Sequence, residues 1–158
     1  MTRKLSGGCA CGSIRYQLLT RPMFVNCCHC DDCQRLTGSA FVINAIIETQ
    51  AIKLLRGKPV AVPVPRKDGP HDIYRCRKCQ AALWSDYGHK PNVRFVRVGT
   101  LDHAGALKPD AHIFTRWKVK WLKLPKTTPS FRDYYDTAKL WPKASFERLN
   151  AALGKAKS

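Results

Sequence analysis

The chain has no long apolar run. Its most apolar stretch, residues 41–47, is broken by Asn44 and is far too short to span a bilayer. Residues 1–8 are polar, so no secretory leader is expected ahead of the first cysteine, and a reducing cytoplasmic setting follows as the expectation. Acids are scarce: 11 Asp and Glu stand against 28 Lys and Arg, a net charge of +17. Such an excess attracts nucleic acid, anionic lipid and acidic metabolites alike, and does not choose among them. The basic residues are scattered over 3–4, 66–67, 75–78 and 118–126, and form no block. There is no recognition helix, no aromatic–basic repeat and no basic tail of the kind nucleic-acid binders carry. Internal repeats, low-complexity segments and linkers are absent as well, so one domain over residues 1–158 is expected.

Helical periodicity is also rare. What is there instead reads as short strands. Residues 13–18 alternate polar and apolar, 40–47 are rich in β-branched residues, and 93–98 (VRFVRV) interleave β-prone apolar residues with arginine. Residues 72–76 and 113–119 complete the set, with 60–64 confined to a sheet edge by Pro63 and Pro65. Turn-forming clusters at 56–59, 67–70 and 88–91 separate them, so the fold class is mainly β. Two helices are expected. Asp31 or Asp32 caps a brief turn that reaches Leu36 and stops at Gly38. Ser145 caps a C-terminal helix through Leu153, with Phe146, Leu149 and Leu153 on one face and Gly154 after it; residues 155–158 fray.

The eight cysteines fall into three groups: Cys9-x-Cys11, Cys27-Cys28-His29-Cys30-x-x-Cys33 and Cys76-x-x-Cys79. Thiols so close in sequence are cramped for disulfides with each other, but a short turn can aim them at one ion about 2.3 Å away. The first and third groups make a two-plus-two set, separated by 64 residues, that would close one structural zinc site. Gly7-Gly8 and Gly12 let the backbone curl round it, and Arg75, Arg77 and Lys78 offset thiolate charge. Cys28, Cys30 and Cys33 offer three ligands with no evident fourth, the pattern of a metal with an open corner. Cys27 and His29 are local rivals for that corner, and a metal-free thiol cluster is the bland alternative. Soft thiolates favour a soft visiting ligand, in particular another thiol.

These residues also carry a resemblance. The stretch Gly7-Gly8-Cys9-Ala10-Cys11-Gly12-Ser13-Ile14-Arg15-Tyr16, then Cys28-His29-Cys30-Asp31-Asp32-Cys33-Gln34-Arg35, Gly38-Ser39-Ala40-Phe41 and Cys76-x-x-Cys79, is similar to the glutathione-dependent formaldehyde-activating enzyme family, which also includes centromere protein V. Residues 108–114, Trp121 and Leu124-Pro125 resemble its C-terminal segment, so the likeness covers about 5–135 and leaves a helical tail at 140–158.

The resemblance implies coiled antiparallel sheets (a β-tent) stapled by zinc, with two zinc ions per chain, the second of them labile. The structural zinc would fall on Cys9, Cys11, Cys76 and Cys79, and the second, catalytic one on Cys28, Cys30 and Cys33. It implies a carbon–sulfur lyase that joins glutathione and formaldehyde reversibly. Arg35 beside the cluster would favour an anionic substrate, with Gln34 and Ser39 as polar contacts, and the alternative for all three is an ordinary turn or capping role. A small thiol, glutathione, is then the expected partner; a membrane is not. His112 is either an acid–base group or a core histidine. Gln80 stands where the family commonly has Gly, and must adopt a left-handed backbone at a cost of about 1 kcal/mol. Two other readings remain: a non-catalytic zinc module for nucleic acid or an acidic partner, and a thiol or zinc sensor.

Overall fold

The structure is a computed structural model describing residues 5–66 and 68–154. Residues 1–4, 67 and 155–158, with the start of the 67–70 turn and the expected frayed end, lie outside the described residues. Ten strands form: β1 (Leu5–Gly8), β2 (Arg15–Leu18), β3 (Phe24–Cys28), β4 (Val42–Glu48), β5 (Ile52–Arg56), β6 (Val60–Pro63), β7 (His71–Arg75), β8 (Ala82–Tyr87), β9 (Val93–Arg97) and β10 (Ala111–Ile113). They make a small sheet in the order β1-β2-β5 and a seven-stranded sheet in the order β10-β3-β4-β9-β8-β7-β6. The proline-bearing strand β6 lies on an edge, as its missing donor requires.

One pairing departs from the antiparallel expectation. Strand β10 lies parallel to β3, with His112 opposite Cys27 and Ile113 opposite Cys28. Parallel neighbours need a long crossover, and here β10 follows two 3-10 turns, Val98–Thr100 and Ala104–Ala106. Asp110 fixes the start of β10: its backbone N–H donates to Val25 O and its carboxylate accepts from Val25 N, both at 2.8 Å.

The expected strand over 113–119 stops at Ile113. Phe114 turns left-handed (φ 55°, ψ 39°), and Thr115–Trp117 form a 3-10 turn. A bulky residue there is strained, so strand geometry cannot continue through it. Four strands were not foreseen. In β3 all five residues are buried and alternation vanishes, while β8 buries Ser85 and Asp86. Those polar groups are satisfied across the sheet: Ser85 Oγ sits 3.0 Å from His71 Nε2, and Asp86 pairs with Arg94 at 3.2 Å. Strand β1 is LSGG and β5 is mostly exposed, so neither shows a clear period.

Three helices follow. Helix α1 spans Asp31–Thr37, and its cap is the Cys30 sulfur rather than either aspartate. Gly38 ends it at φ 66°, as expected. Helix α2 (Thr137–Leu140) is capped by Asp136 Oδ1, which accepts from Ala138 N at 3.0 Å. Helix α3 (Lys143–Ala152) starts before Ser145, directly after Pro142, whose ring presets the entry and offers no side-chain cap.

The large sheet has a core on each face. Along β4, Ala45 and Ile47 join Tyr16, Leu83, Trp84 and Val96, whereas Val42 and Ile46 join Phe24, Ile113, Tyr135 and Trp141. Period-two alternation divides them. The second core receives the apolar face of α3, with Phe146, Leu149 and Leu153, as the helical spacing predicts. Phe24 and Trp141 stack there at 4.9 Å between centroids. Among the described residues no helix is long and apolar enough to cross a membrane.

Candidate metal centres and the cavity beside one of them

The distant cysteine pairs meet. Cys9 follows β1, Cys11 lies in the turn into β2, and Cys76 and Cys79 form the knuckle between β7 and β8. Their four Sγ atoms lie within 4.8 Å of one another, with Cys9–Cys11 at 3.5 Å and Cys11–Cys76 at 3.8 Å. A tetrahedral ion with sulfur at about 2.3 Å places its ligands about 3.8 Å apart, so the donor set fits zinc in both kind and spacing. Burial pushes the Cys9 thiol up, but hydrogen bonds from Ser13, Ile14 N, Cys11 and Cys76 outweigh it and bring it down to about 6. Ser13 Oγ sits 3.0 Å from Cys11 Sγ and 3.3 Å from Cys76 Sγ.

The backbone round this tetrad divides its tasks. Gly12 takes φ 74° and makes the turn. Gly7, expected to curl round the metal, instead lets β1 approach closely: a Cβ there would meet Thr100 O at 2.4 Å. Gln80 takes φ 61°, the left-handed conformation anticipated for it. Its N–H donates to Cys76 O at 3.0 Å and its Nε2 to Arg77 O at 3.0 Å.

Cys28 ends β3, Cys30 precedes α1 and Cys33 sits in the first turn of α1. Their sulfurs form a triangle, with Cys28–Cys30 and Cys28–Cys33 both 3.5 Å. Cys30 also accepts from Cys33 N at 3.4 Å. Hydrogen bonds with Cys28 and then Cys33 pull the Cys30 thiol far down, while bonds with Cys30 and then Cys33, with burial, push Cys28 up.

The two local rivals point elsewhere. Cys27, His29 and His112 bring their own ligand atoms within 4.8 Å of one another, all three residues buried. His29 Nε2 lies 3.0 Å from His112 Nδ1 and 3.5 Å from Cys27 Sγ. Burial, then the positive field of His112, lowers His29 to about 4, and burial lowers His112. Buried neutral imidazoles that tie β10 to the cysteine loop match the core reading of His112.

All three cysteines of the triangle line a cavity of about 640 Å³. Its deep walls combine apolar Ile46, Val93, Ile113 and Trp141 with Asn26 and Asn44, and its more open parts carry Arg66, Lys90 and Arg116 beside Asp31, Asp32 and Asp68. Arg66 pairs with Asp32 and Asp68, and Arg116 with Asp133. None of the expected contacts Gln34, Arg35 and Ser39 lines it. Gln34 instead donates through Nε2 to His29 O (2.8 Å) and Trp117 O (3.0 Å), fastening α1 to the turn after β10. Arg35 and Ser39 are exposed. The cavity cations come from turns whose basic residues were visible in the sequence but whose convergence was not.

Arg97 is a further group that sequence reasoning missed. It is 6% exposed and donates to two neutral partners, Asn44 Oδ1 at 2.5 Å and Ser85 Oγ at 2.9 Å, while its Nε has none. A hydrogen bond with Cys28 pulls the Cys33 thiol down, but the bond with Cys30, burial and the charge of Cys30 outweigh it and raise the thiol to about 11; the positive field of Arg97 is the weakest influence and opposes that rise. Three thiolates round a divalent cation leave a net negative charge, and a buried guanidinium beside them suits that balance.

Geometry alone thus defines a mainly β protein with two cysteine clusters that could hold a metal ion. Residues 4–117 match the family model described as glutathione-dependent formaldehyde-activating enzyme, and the chain belongs to that family. A protein of Halomonas elongata, provisionally named a glutathione-dependent formaldehyde-activating enzyme, is 22% identical over 126 residues, covering 76% of this chain and 80% of the relative. A crystal structure of a Rhodobacter sphaeroides protein is 20% identical with a TM-score of 0.48, over 66% of this chain and 92% of that one.

Proposed function

We propose that this protein is a zinc-dependent carbon–sulfur lyase that adds an aldehyde to a thiol such as glutathione, and removes it, in the cytoplasm. The observation that carries the reading is the sulfur triangle opening on a cavity large enough for a small thiol. Cys9, Cys11, Cys76 and Cys79 would hold a structural zinc, and Cys28, Cys30 and Cys33 a second. Zinc bound at the triangle supplies a lowered thiol pKa, so that a visiting thiol is a thiolate at neutral pH.

The chain's own residues do the rest. Lys90 would meet a carboxylate of an anionic thiol such as glutathione, as would Arg66 and Arg116 on exchanging their exposed aspartate partners for it. The apolar walls exclude bulk water and strengthen every charge interaction inside. In the forward direction the sulfur lone pair forms a C–S bond, the carbonyl π pair moves to oxygen, and the thiol proton ends on that oxygen. Tyr134 Oη lines the cavity and accepts from Asn26 Nδ2 at 3.5 Å, which leaves its hydrogen free for the new alkoxide. Burial raises the Tyr134 phenol, so the donor stays protonated.

The test is exchange between glutathione and formaldehyde followed by NMR exchange spectroscopy, alongside metal analysis. Two zinc ions per chain and saturable acceleration are expected, with Cys30→Ser abolishing the acceleration in a protein that still folds, its melting temperature lowered by no more than a few degrees. A fully metallated protein that accelerates nothing ends the enzyme reading.

A further inference from the structure

The cavity is oversized for a one-carbon reaction partner. Its volume of about 640 Å³ lies in the range that takes drug-sized ligands. Part of its wall comes from residues that follow the stretch matched to the family: Tyr134, Thr137, Trp141, Leu149 and Leu153. Leu149 and Leu153 lie on one face of the C-terminal segment, four residues apart, and both remain partly exposed beside the cavity.

This wall is fastened rather than loosely draped. Arg148 clasps Glu48 with two hydrogen bonds, Nε–Oε1 at 2.8 Å and Nη2–Oε2 at 2.6 Å. Trp141 Nε1 donates to Tyr135 Oη at 2.9 Å, and Tyr135 Oη donates to Asn26 Oδ1 at 2.8 Å. Trp141 also stacks on Phe24. The apolar surface is therefore in place before any ligand arrives. Formaldehyde has no side group to cover it, and the carboxylates of glutathione belong with Arg66, Lys90 and Arg116.

We infer that the carbonyl partner is an apolar aldehyde of several carbons, alkyl or aryl, whose side group lies against Trp141, Leu149 and Leu153. The inference rests on the lyase reading and narrows its substrate class. The chemistry balances as before: the C–S bond forms, the carbonyl π pair goes to oxygen, and the thiol proton follows. No oxidant or reductant enters.

Two unreactive thioethers test it by isothermal titration calorimetry on the full-length, zinc-loaded protein: S-methylglutathione and S-hexylglutathione. A fully buried methylene is worth about fourfold in affinity. The hexyl compound is expected to bind at least tenfold tighter, and Leu149→Ala/Leu153→Ala to remove most of that advantage. Affinities within twofold of each other overturn the inference while leaving the lyase reading standing. A hexyl preference untouched by the double variant places the chain elsewhere and overturns it too. If neither thioether binds, the glutathione reading falls and takes the inference with it.

Discussion

Cys27 and Cys28 are neighbours in the chain, yet strand β3 sends their sulfurs to opposite faces of the large sheet. Cys28 Sγ lies 3.5 Å from both Cys30 and Cys33 and lines the cavity, while Cys27 Sγ lies 3.5 Å from His29 Nε2. Pleating forbids the two thiols from sharing one ion. Cys27→Ala should therefore keep both zinc ions, and Cys28→Ser should lose one. Mass-spectrometric metal analysis of the purified variants reads this directly; loss of zinc from Cys27→Ala would contradict it.

The tetrad gives a different expectation. It joins the β1–β2 turn to the β7–β8 knuckle, so an ion bound there would close a long loop and its binding energy would be folding energy. Cys76→Ser should lower stability by at least ~3 kcal/mol, whereas Cys30→Ser should cost about 1 kcal/mol or less. Urea unfolding of the metallated proteins distinguishes them. Equal losses in the two variants would remove the division of labour between the sites.

Much of this was legible in the sequence, and the reason is covalent. Cysteines tied to short turns stay together wherever the rest of the chain goes, β4 was readable from its β-branched residues, and β9 from the β-prone Val93, Phe95 and Val96 set among arginines. Strand β3 was hidden because both its faces are buried, so no polar–apolar period exists to read. Strand β10 was overextended because nothing in Ile113-Phe114-Thr115 announces that Phe114 will turn left-handed. The cavity was beyond reach for another reason. Arg66, Lys90, Arg116 and Trp141 lie in four separate segments that only tertiary packing brings together.

Arg97 should govern the second metal. Its guanidinium is buried with neutral hydrogen-bond partners, so the anionic cluster nearby is its natural counter-charge. Replacing it by methionine keeps the volume and removes the cation, leaving the thiolates less favourable. Arg97→Met is expected to weaken the labile zinc at least tenfold without disturbing the tight one, an effect of about 1.4 kcal/mol. Competition against a chromophoric chelator measures both constants, and an unchanged labile constant would show that the charge is balanced elsewhere.

The clasp between Glu48 and Arg148 predicts a pH dependence. Burial pushes the Glu48 carboxyl up, but hydrogen bonding from Arg148 outweighs it, and the folded value lies below the ordinary 4.5. Its stabilisation is thus fully present above the unfolded value and is lost as the pH falls through the depressed one. At neutral pH α3 should be held; below about pH 4 it should loosen by an amount on the order of 1 kcal/mol. Protection factors of α3 amides, meaning hydrogen exchange corrected for the intrinsic rate at each pH from 7 to 3.5, should fall at the acid end, and Glu48→Gln should show the lowered protection throughout. A flat profile in the unmodified protein rules the clasp out as the fastening of the cavity wall.

Gln80 completes the cysteine knuckle in a conformation that suits glycine. At φ 61° its Cβ is crowded against the backbone, a cost of about 1 kcal/mol that glycine avoids. Against this, Gln80→Gly enlarges the unfolded ensemble and gives up the Nε2 bond to Arg77 O, which is solvent-exposed and weak. The backbone bond from residue 80 to Cys76 O is kept by any residue at that position. The balance favours glycine by up to about 1 kcal/mol, so Gln80→Gly should unfold at higher urea concentration with the same slope. Gln80→Ala keeps the strain and loses the side-chain bond, so it should not gain. A gain in the alanine variant equal to that in glycine would mean that the left-handed backbone carries no strain, and that the bond to Arg77 O opposes the knuckle rather than supporting it.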